Sequence, residues 1–130
     1  MKHSILTFAF ILCWMAGFAQ QKERNISIIP EPVSLLKKGG YYVLPDKIII
    51  SSPSGSETAY VNGLLTEKLS LAPGKKVVVK PNATNGDIEL SLNRTADKTI
   101  GDEGYTLSVT RQKIIIKANK PAGLLYGVQT

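Results

Sequence analysis

Asp102 and Glu103 stand side by side in Gly101-Asp102-Glu103-Gly104. Adjacent carboxylates are a residue type that general acid–base chemistry uses, provided both can flank one reacting bond. The residues that follow argue against that use. Tyr105-Thr106-Leu107-Ser108-Val109-Thr110 alternates strictly, as a strand does, and neighbouring side chains of an extended segment point to opposite faces. The pair reads as a charged turn at a strand start, so no catalytic residue is assigned.

The first nineteen residues remove most other chemistry. Met1-Lys2-His3-Ser4 is a short basic start, Ile5 to Phe18 is almost wholly apolar, and Gly17-Phe18-Ala19 places small residues where a signal peptidase acts. This pattern predicts a secretory signal peptide over 1–19, cleaved after Ala19. The apolar run falls short of the roughly 20 residues of a membrane span, so no stable membrane anchor is expected. Leu12 is too large for lipoprotein processing at Cys13. The sole Cys (Cys13), His (His3) and Trp (Trp14) all lie in this segment. Residues 20–130 therefore hold no thiol nucleophile, imidazole base, disulfide or Cys/His zinc site. No Ser-His-Asp or Cys-His arrangement can be built from them. Carboxylate, Lys, Tyr and Ser/Thr chemistry stays open, and neither a cofactor nor a metal is expected.

The net charge of +6 hints at an acidic partner, but its distribution does not. Lys37-Lys38 and Lys75-Lys76 sit beside Gly39 and Gly74 in expected turns, and Lys113 and Lys117 flank an Ile run. No basic stretch is interleaved with aromatics, so nucleic acid is not expected as a partner. Tyr41, Tyr42, Tyr60, Tyr105 and Tyr126 could stack on sugar rings, though core packing or partial burial is the expected use of most. Asn25-Ile26-Ser27, Asn82-Ala83-Thr84 and Asn93-Arg94-Thr95 match the N-glycosylation acceptor pattern. The signal ending Phe18-Ala19-Gln20-Gln21 is of Gram-negative bacterial type, which predicts a periplasmic or extracellular protein with these Asn unmodified.

One domain fits in 130 residues, without a catalytic barrel, which needs roughly 200 or more. A hydrophobic fraction of 43% with 20% charged residues excludes a wholly disordered chain. Residues 20–25 read as a flexible leader, and Pro30-Glu31-Pro32 enforces an extended start. Val33 to Lys37 and Tyr41 to Leu44 read as a hairpin about Gly39-Gly40. Lys47 to Ser51 reads as a strand covered on both faces. Ser54-Gly55-Ser56-Glu57 fits a capping box, ahead of a helix whose Val61, Leu64, Leu65 and Leu69 share a face. Ala72-Pro73-Gly74 ends that helix. Strands follow at Val77–Val79, Asp87–Leu92, Tyr105–Thr110 and Lys113–Ala118, the last two as an antiparallel hairpin whose Arg111-Gln112 connection is poor turn chemistry. Pro121 opens a second helix, which reaches Thr130 with no stop signal and so reads as truncated. The pattern predicts an α+β domain, a mixed or antiparallel sheet with helices on one face.

Three stretches carry a resemblance. Ile28-Ile29-Pro30-Glu31-Pro32-Val33 resembles the opening strand of the small N-terminal domain of glycoside hydrolase family 20. Glu103-Gly104-Tyr105-Thr106-Leu107-Ser108-Val109 is similar to its late strand. Pro121-Ala122-Gly123-Leu124-Leu125-Tyr126-Gly127-Val128-Gln129-Thr130 resembles the helix that leads into that family's barrel. The resemblance covers nearly all of residues 26–130. It implies a zincin-like topology and a non-catalytic domain of a β-N-acetylhexosaminidase, which removes terminal N-acetylglucosamine or N-acetylgalactosamine. In that family a Glu protonates the leaving oxygen. A neighbouring Asp orients the substrate's acetamido group, whose carbonyl attacks the anomeric carbon. Both acids belong to the downstream barrel, the implied partner through which glycan would be met. Gly101-Asp102-Glu103 imitates the family's catalytic Gly-Asp-Glu but stands in the small domain's turn. Two other readings stay open. One is the equivalent domain of an O-GlcNAcase-like hydrolase or α-glucuronidase; the other is a free-standing periplasmic binding or scaffolding module.

Overall fold

A computed structural model describes residues 26–29 and 31–130. The expected signal segment (1–19) and leader (20–25) lie outside the described residues. The chain divides into Met1–Glu31 and Pro32–Thr130. In the first unit the described residues Ile26 to Ile29 and Glu31 take no regular secondary structure.

The elements of the second unit run β1 (Lys47–Ser52), α1 (Ser56–Ser70), β2 (Lys76–Pro81), β3 (Ile88–Leu92), β4 (Tyr105–Val109), β5 (Ile114–Ala118) and α2 (Pro121–Gln129). The five strands form one sheet in the order β2-β1-β3-β5-β4. The β1–β2, β1–β3 and β3–β5 pairs are parallel, and only the β4–β5 hairpin is antiparallel. The expected α+β class with a mixed sheet is therefore present.

Alternation along each strand decides which side chains meet the helices. Ile48 and Ile50 of β1, Ile88 and Leu90 of β3, and Ile116 and Ala118 of β5 converge with Val61 and Leu65 of α1 and Leu124 of α2 in one buried cluster. The helices touch each other and share that cluster, so they form a single layer on one face. The expectation that β1 is covered on both faces is corrected. Ile49 points away from the helices and stays half-buried.

Three other local expectations are also corrected. The hairpin over 33–44 does not form, and no strand occurs between Pro32 and Asp46. Gly40 takes a φ of 111°, and a Cβ there would meet Arg111 Nε at 2.8 Å, so this glycine serves a close approach to the Arg111 side chain. The period of two survives without a ladder. Tyr41 and Val43 are exposed, while Tyr42 and Leu44 turn inward and Leu44 packs on the core. Side chains hold the segment instead. Tyr42 Oη donates to Asp87 Oδ1 at 3.4 Å, and Lys75 Nζ donates to the Leu44 carbonyl at 2.9 Å and to Asp46 Oδ1 at 3.1 Å.

The expected capping box at α1 does not form. Gly55 occupies the cap position with no side-chain cap; Ser54 lies one residue before it, and its hydroxyl accepts from Asn82 Nδ2 at 2.8 Å. Thr58 Oγ1 shares its one hydrogen between the Pro53 and Gly55 carbonyls, each at 3.0 Å. The third correction concerns the α1 core face, which holds Thr58 and Asn62 with Val61 and Leu65; Leu69 packs against the cluster, while the expected Leu64 is half-buried outside it.

The β4–β5 connection closes without Asn or Gly. Thr110 Oγ1 accepts from the backbone N–H groups of Gln112 at 3.2 Å and Lys113 at 3.1 Å, so a hydroxyl organises the turn. Pro121 stands in the first turn of α2 as expected.

Candidate functional site

The Asp102-Glu103 turn belongs to a loop, residues 93–104, that is held by one amide side chain. Asn119 Nδ2 donates to the carbonyls of Asp97 at 2.7 Å and Gly101 at 2.6 Å. Its Oδ1 accepts from Asp97 N at 2.8 Å and from Asn93 Nδ2 at 2.9 Å. Both donors and both lone pairs of the amide are thereby used. Thr99 adds two bonds to Asp97 Oδ1, from N at 2.9 Å and Oγ1 at 2.6 Å. They hold the Asp97 carboxyl below the ordinary carboxylate range.

The end of this loop is a packing surface. Gly101 has a φ of 61°, which a side chain seldom tolerates. Gly104 N donates to the Ile100 carbonyl at 3.0 Å, and that carbonyl fills the space a Cβ on Gly104 would need. Gly123 of α2 rests on the Gly104 carbonyl, where an added Cβ would also meet Ala118 Cβ at 2.8 Å. One turn further, Gly127 rests on Tyr105 and Ile116, and Tyr105 Oη is hydrogen-bonded to Thr130 Oγ1. The two glycines, four apart on one helix face, let α2 approach β5 and the β4 start closely.

Asp102 and Glu103 are exposed, and their turn's work is to seat α2. Among the described residues, no group of three or more His, Cys, Asp or Glu could hold a metal ion. The other charged contacts are structural. Lys113 Nζ meets Glu89 Oε2 at 2.6 Å, and Asp87 Oδ2 accepts from Ile49 N at 2.8 Å. Burial and the Asp87 carboxylate together raise the pKa of Tyr42 above its ordinary value. The tyrosines depart from the expected burial: Tyr41, Tyr60 and Tyr126 are exposed, and only Tyr42 and Tyr105 are half-buried. Of the acceptor-pattern asparagines, Asn82 spends its Nδ2 on the Ser54 hydroxyl and Asn93 spends its own on Asn119 Oδ1.

Two segments that the sequence sets apart thus meet in space: the 101–104 turn with the β4 start that follows it, and the glycine face of α2. Residues 25–130 match the family described as "Glycosyl hydrolase family 20, domain 2". The chain belongs to glycosyl hydrolase family 20. It is 30% identical over 107 residues to a β-N-acetylhexosaminidase of Cellulomonas fimi, an alignment covering 82% of this chain and 22% of that protein. Among solved structures, the N-acetyl-β-hexosaminidase of Streptomyces plicatus superposes with a TM-score of 0.70 at 33% identity, over 78% of this chain and 20% of the other. The family 20 β-N-acetylhexosaminidase of Streptomyces coelicolor A3(2) gives 0.69 at 34% identity, with the same coverage. That of Bacteroides fragilis gives 0.60 at 29% identity, again with the same coverage. The chain spans about a fifth of the length of these relatives. It corresponds to the small N-terminal domain of family 20 proteins, and the paired glycines of α2 are what seat that domain's last helix on its sheet.

Proposed function

We propose that this domain is the non-catalytic N-terminal part of an exported β-N-acetylhexosaminidase. Hydrolysis of terminal N-acetylglucosamine or N-acetylgalactosamine is assigned to a downstream barrel. The observation that carries this reading is the role of the Gly101-Asp102-Glu103-Gly104 turn. It resembles a catalytic triplet in sequence, yet its Gly104 carbonyl serves as the seat of Gly123. The coverage of about a fifth of each relative supports a barrel beyond this domain. The finer reading of the fold is a zincin-like module whose last helix continues past Thr130.

The helix layer supplies the surface on which such a barrel rests. Tyr60 is 68% exposed and Tyr126 44%, with Leu64, Leu125 and Val128 half-buried. These side chains give the layer an apolar outer surface of the kind that marks an interface.

Activity assays test the assignment. The protein encoded by the complete reading frame hydrolyses a chromogenic N-acetylglucosaminide, and Glu103→Gln leaves its kcat within about twofold. The 130-residue chain alone shows no turnover above blank. Turnover by that chain that vanishes on Glu103→Gln would overturn the reading.

A further inference from the structure

An asparagine followed by glycine is the pair most prone to lose its side-chain amide. No Cβ hinders the glycine N–H, and the permissive backbone lets that nitrogen approach the asparagine Cγ. Two such pairs occur in the chain, Asn62-Gly63 and Asn85-Gly86. The fold treats them in opposite ways. Asn62-Gly63 lies inside α1, where Asn62 is buried. The helical ladder holds Gly63 N, and helical dihedrals keep it out of line with Cγ. Burial of Asn62 also keeps out the water that the reaction consumes.

Asn85 is exposed, and neither it nor Gly86 belongs to a helix or strand. Among the described residues, Gly86 N donates to no backbone carbonyl. Asn82, Asn93 and Asn119 hold their amides in hydrogen bonds, whereas Asn85 holds its own in none. The loop around it is pinned at both ends to Ser51, which is buried. The Ser51 hydroxyl donates to the Ala83 carbonyl. A Cβ on Gly86 would stand 2.8 Å from Ser51 Cβ and 2.9 Å from Ser51 N. Asp87, the next residue, ties several segments together. Its N–H donates to the Ile49 carbonyl at 2.8 Å, and its carbonyl accepts from Ile114 N at 2.9 Å. Its carboxylate accepts from Ile49 N at 2.8 Å and from Tyr42 Oη at 3.4 Å.

We propose that Asn85 is the modification site at which the folded domain ages, by deamidation through Gly86. Gly86 N attacks Asn85 Cγ and forms a C–N bond, the Cγ–Nδ2 bond breaks, and the proton from Gly86 N leaves with the amide as ammonia. Water then opens the resulting succinimide. Opening at Cγ gives aspartate. Opening at the main-chain carbonyl gives isoaspartate, in which the chain runs on through Cβ and Cγ. Isoaspartate therefore adds one carbon to the main chain between Ala83 and Gly86, two points that Ser51 holds in place. One of those contacts gives way, and Asp87 is displaced together with Gly86. The modification thus loosens the junction of β1, β5 and the Tyr42 segment.

Peptide mapping of the chain expressed from Met1, held warm at mildly alkaline pH, tests the site. Aspartate and isoaspartate accumulate at position 85. Asn62 loses its amide at least about tenfold more slowly, since it reacts only when α1 opens. In urea the two positions react alike. Asn85→Gln, whose longer side chain closes a larger ring much more slowly, abolishes the reaction at 85, and circular dichroism checks that its fold is retained. The separated isoaspartate form unfolds at lower urea concentration than Asn85→Asp, which carries the same charge on an unaltered main chain. An Asn85 amide that survives in the folded chain while the urea-unfolded chain loses it overturns the proposal. Equal loss at Asn62 and Asn85 in the folded chain overturns it too. An isoaspartate form as stable as Asn85→Asp overturns the loosening of the loop from Ser51.

Discussion

Gly127 of α2 rests directly on the Tyr105 ring of β4. A Cβ at Gly127 would lie 2.5 Å from Ile116 Cγ2 and 3.1 Å from Tyr105 Cδ2, distances that a side chain and two packed neighbours cannot share. Glycine inside a helix costs about 1 kcal/mol relative to alanine. α2 carries two such residues in nine, a cost offset by the burial of Leu124 beneath them.

Gly127→Ala and Gly123→Ala are therefore expected to destabilise the domain despite alanine's better helix propensity. Overpacking of a fitted contact costs about 1–3 kcal/mol. Urea denaturation checks this through a lowered midpoint at constant slope. A raised midpoint would show that the helix can shift away from the sheet.

Asn62 offers the opposite effect. It is buried in α1, and among the described residues its Oδ1 has no hydrogen-bond partner, nor has Thr66 Oγ1 one turn later. Replacing an unpaired buried polar group by an apolar one of similar shape removes its desolvation cost, about 1–3 kcal/mol. Asn62→Leu is expected to raise stability by about 1 kcal/mol, read as an upward shift of Tm.

Tyr42 makes stability depend on alkaline pH. Its pKa is raised, chiefly by burial and then by the Asp87 carboxylate, so the folded protein holds the phenolic proton more tightly than the unfolded chain. The contribution is whole below about pH 10, the unfolded value, and is lost as pH rises through the folded pKa. Tyr42→Phe is expected to flatten the stability profile above about pH 10 relative to the parent. Unchanged profiles would show that the Tyr42–Asp87 contact is absent in solution.

The proposed export has a direct test. The basic start, apolar run and Gly17-Phe18-Ala19 lead to the expectation that the exported product begins at Gln20. Intact-mass measurement checks it, with or without cyclisation of the terminal glutamine. A product that still contains Trp14 contradicts the signal assignment.

Much of the fold was legible because its strands and helices obey strong local periods. Ile88-Glu89-Leu90 and Tyr105-Thr106-Leu107 alternate, and both are strands. Val61 and Leu65 share the buried face of α1. The errors fell where a local pattern competed with a distant partner. Tyr41 to Leu44 alternates like a strand, but its anchors, Asp87 and Lys75, lie far along the chain. Ser54 looks like a helix cap, but the helix starts one residue later, with Gly55 at the cap, and the Ser54 hydroxyl meets Asn82 instead.

The sequence by itself determined the order and type of the elements from β1 to α2, the exclusion of thiol and imidazole chemistry beyond residue 19, and the family motifs. These depend on composition and on side-chain periods of two and 3.6, which neighbours along the chain impose on one another. Only the tertiary structure decided strand order and what the Gly101-Asp102-Glu103-Gly104 turn does. Strand pairing depends on backbone groups that every residue carries alike, so no residue type announces its partner. The turn's role likewise came from a contact between Gly104 and Gly123, residues with no side chain to signal it.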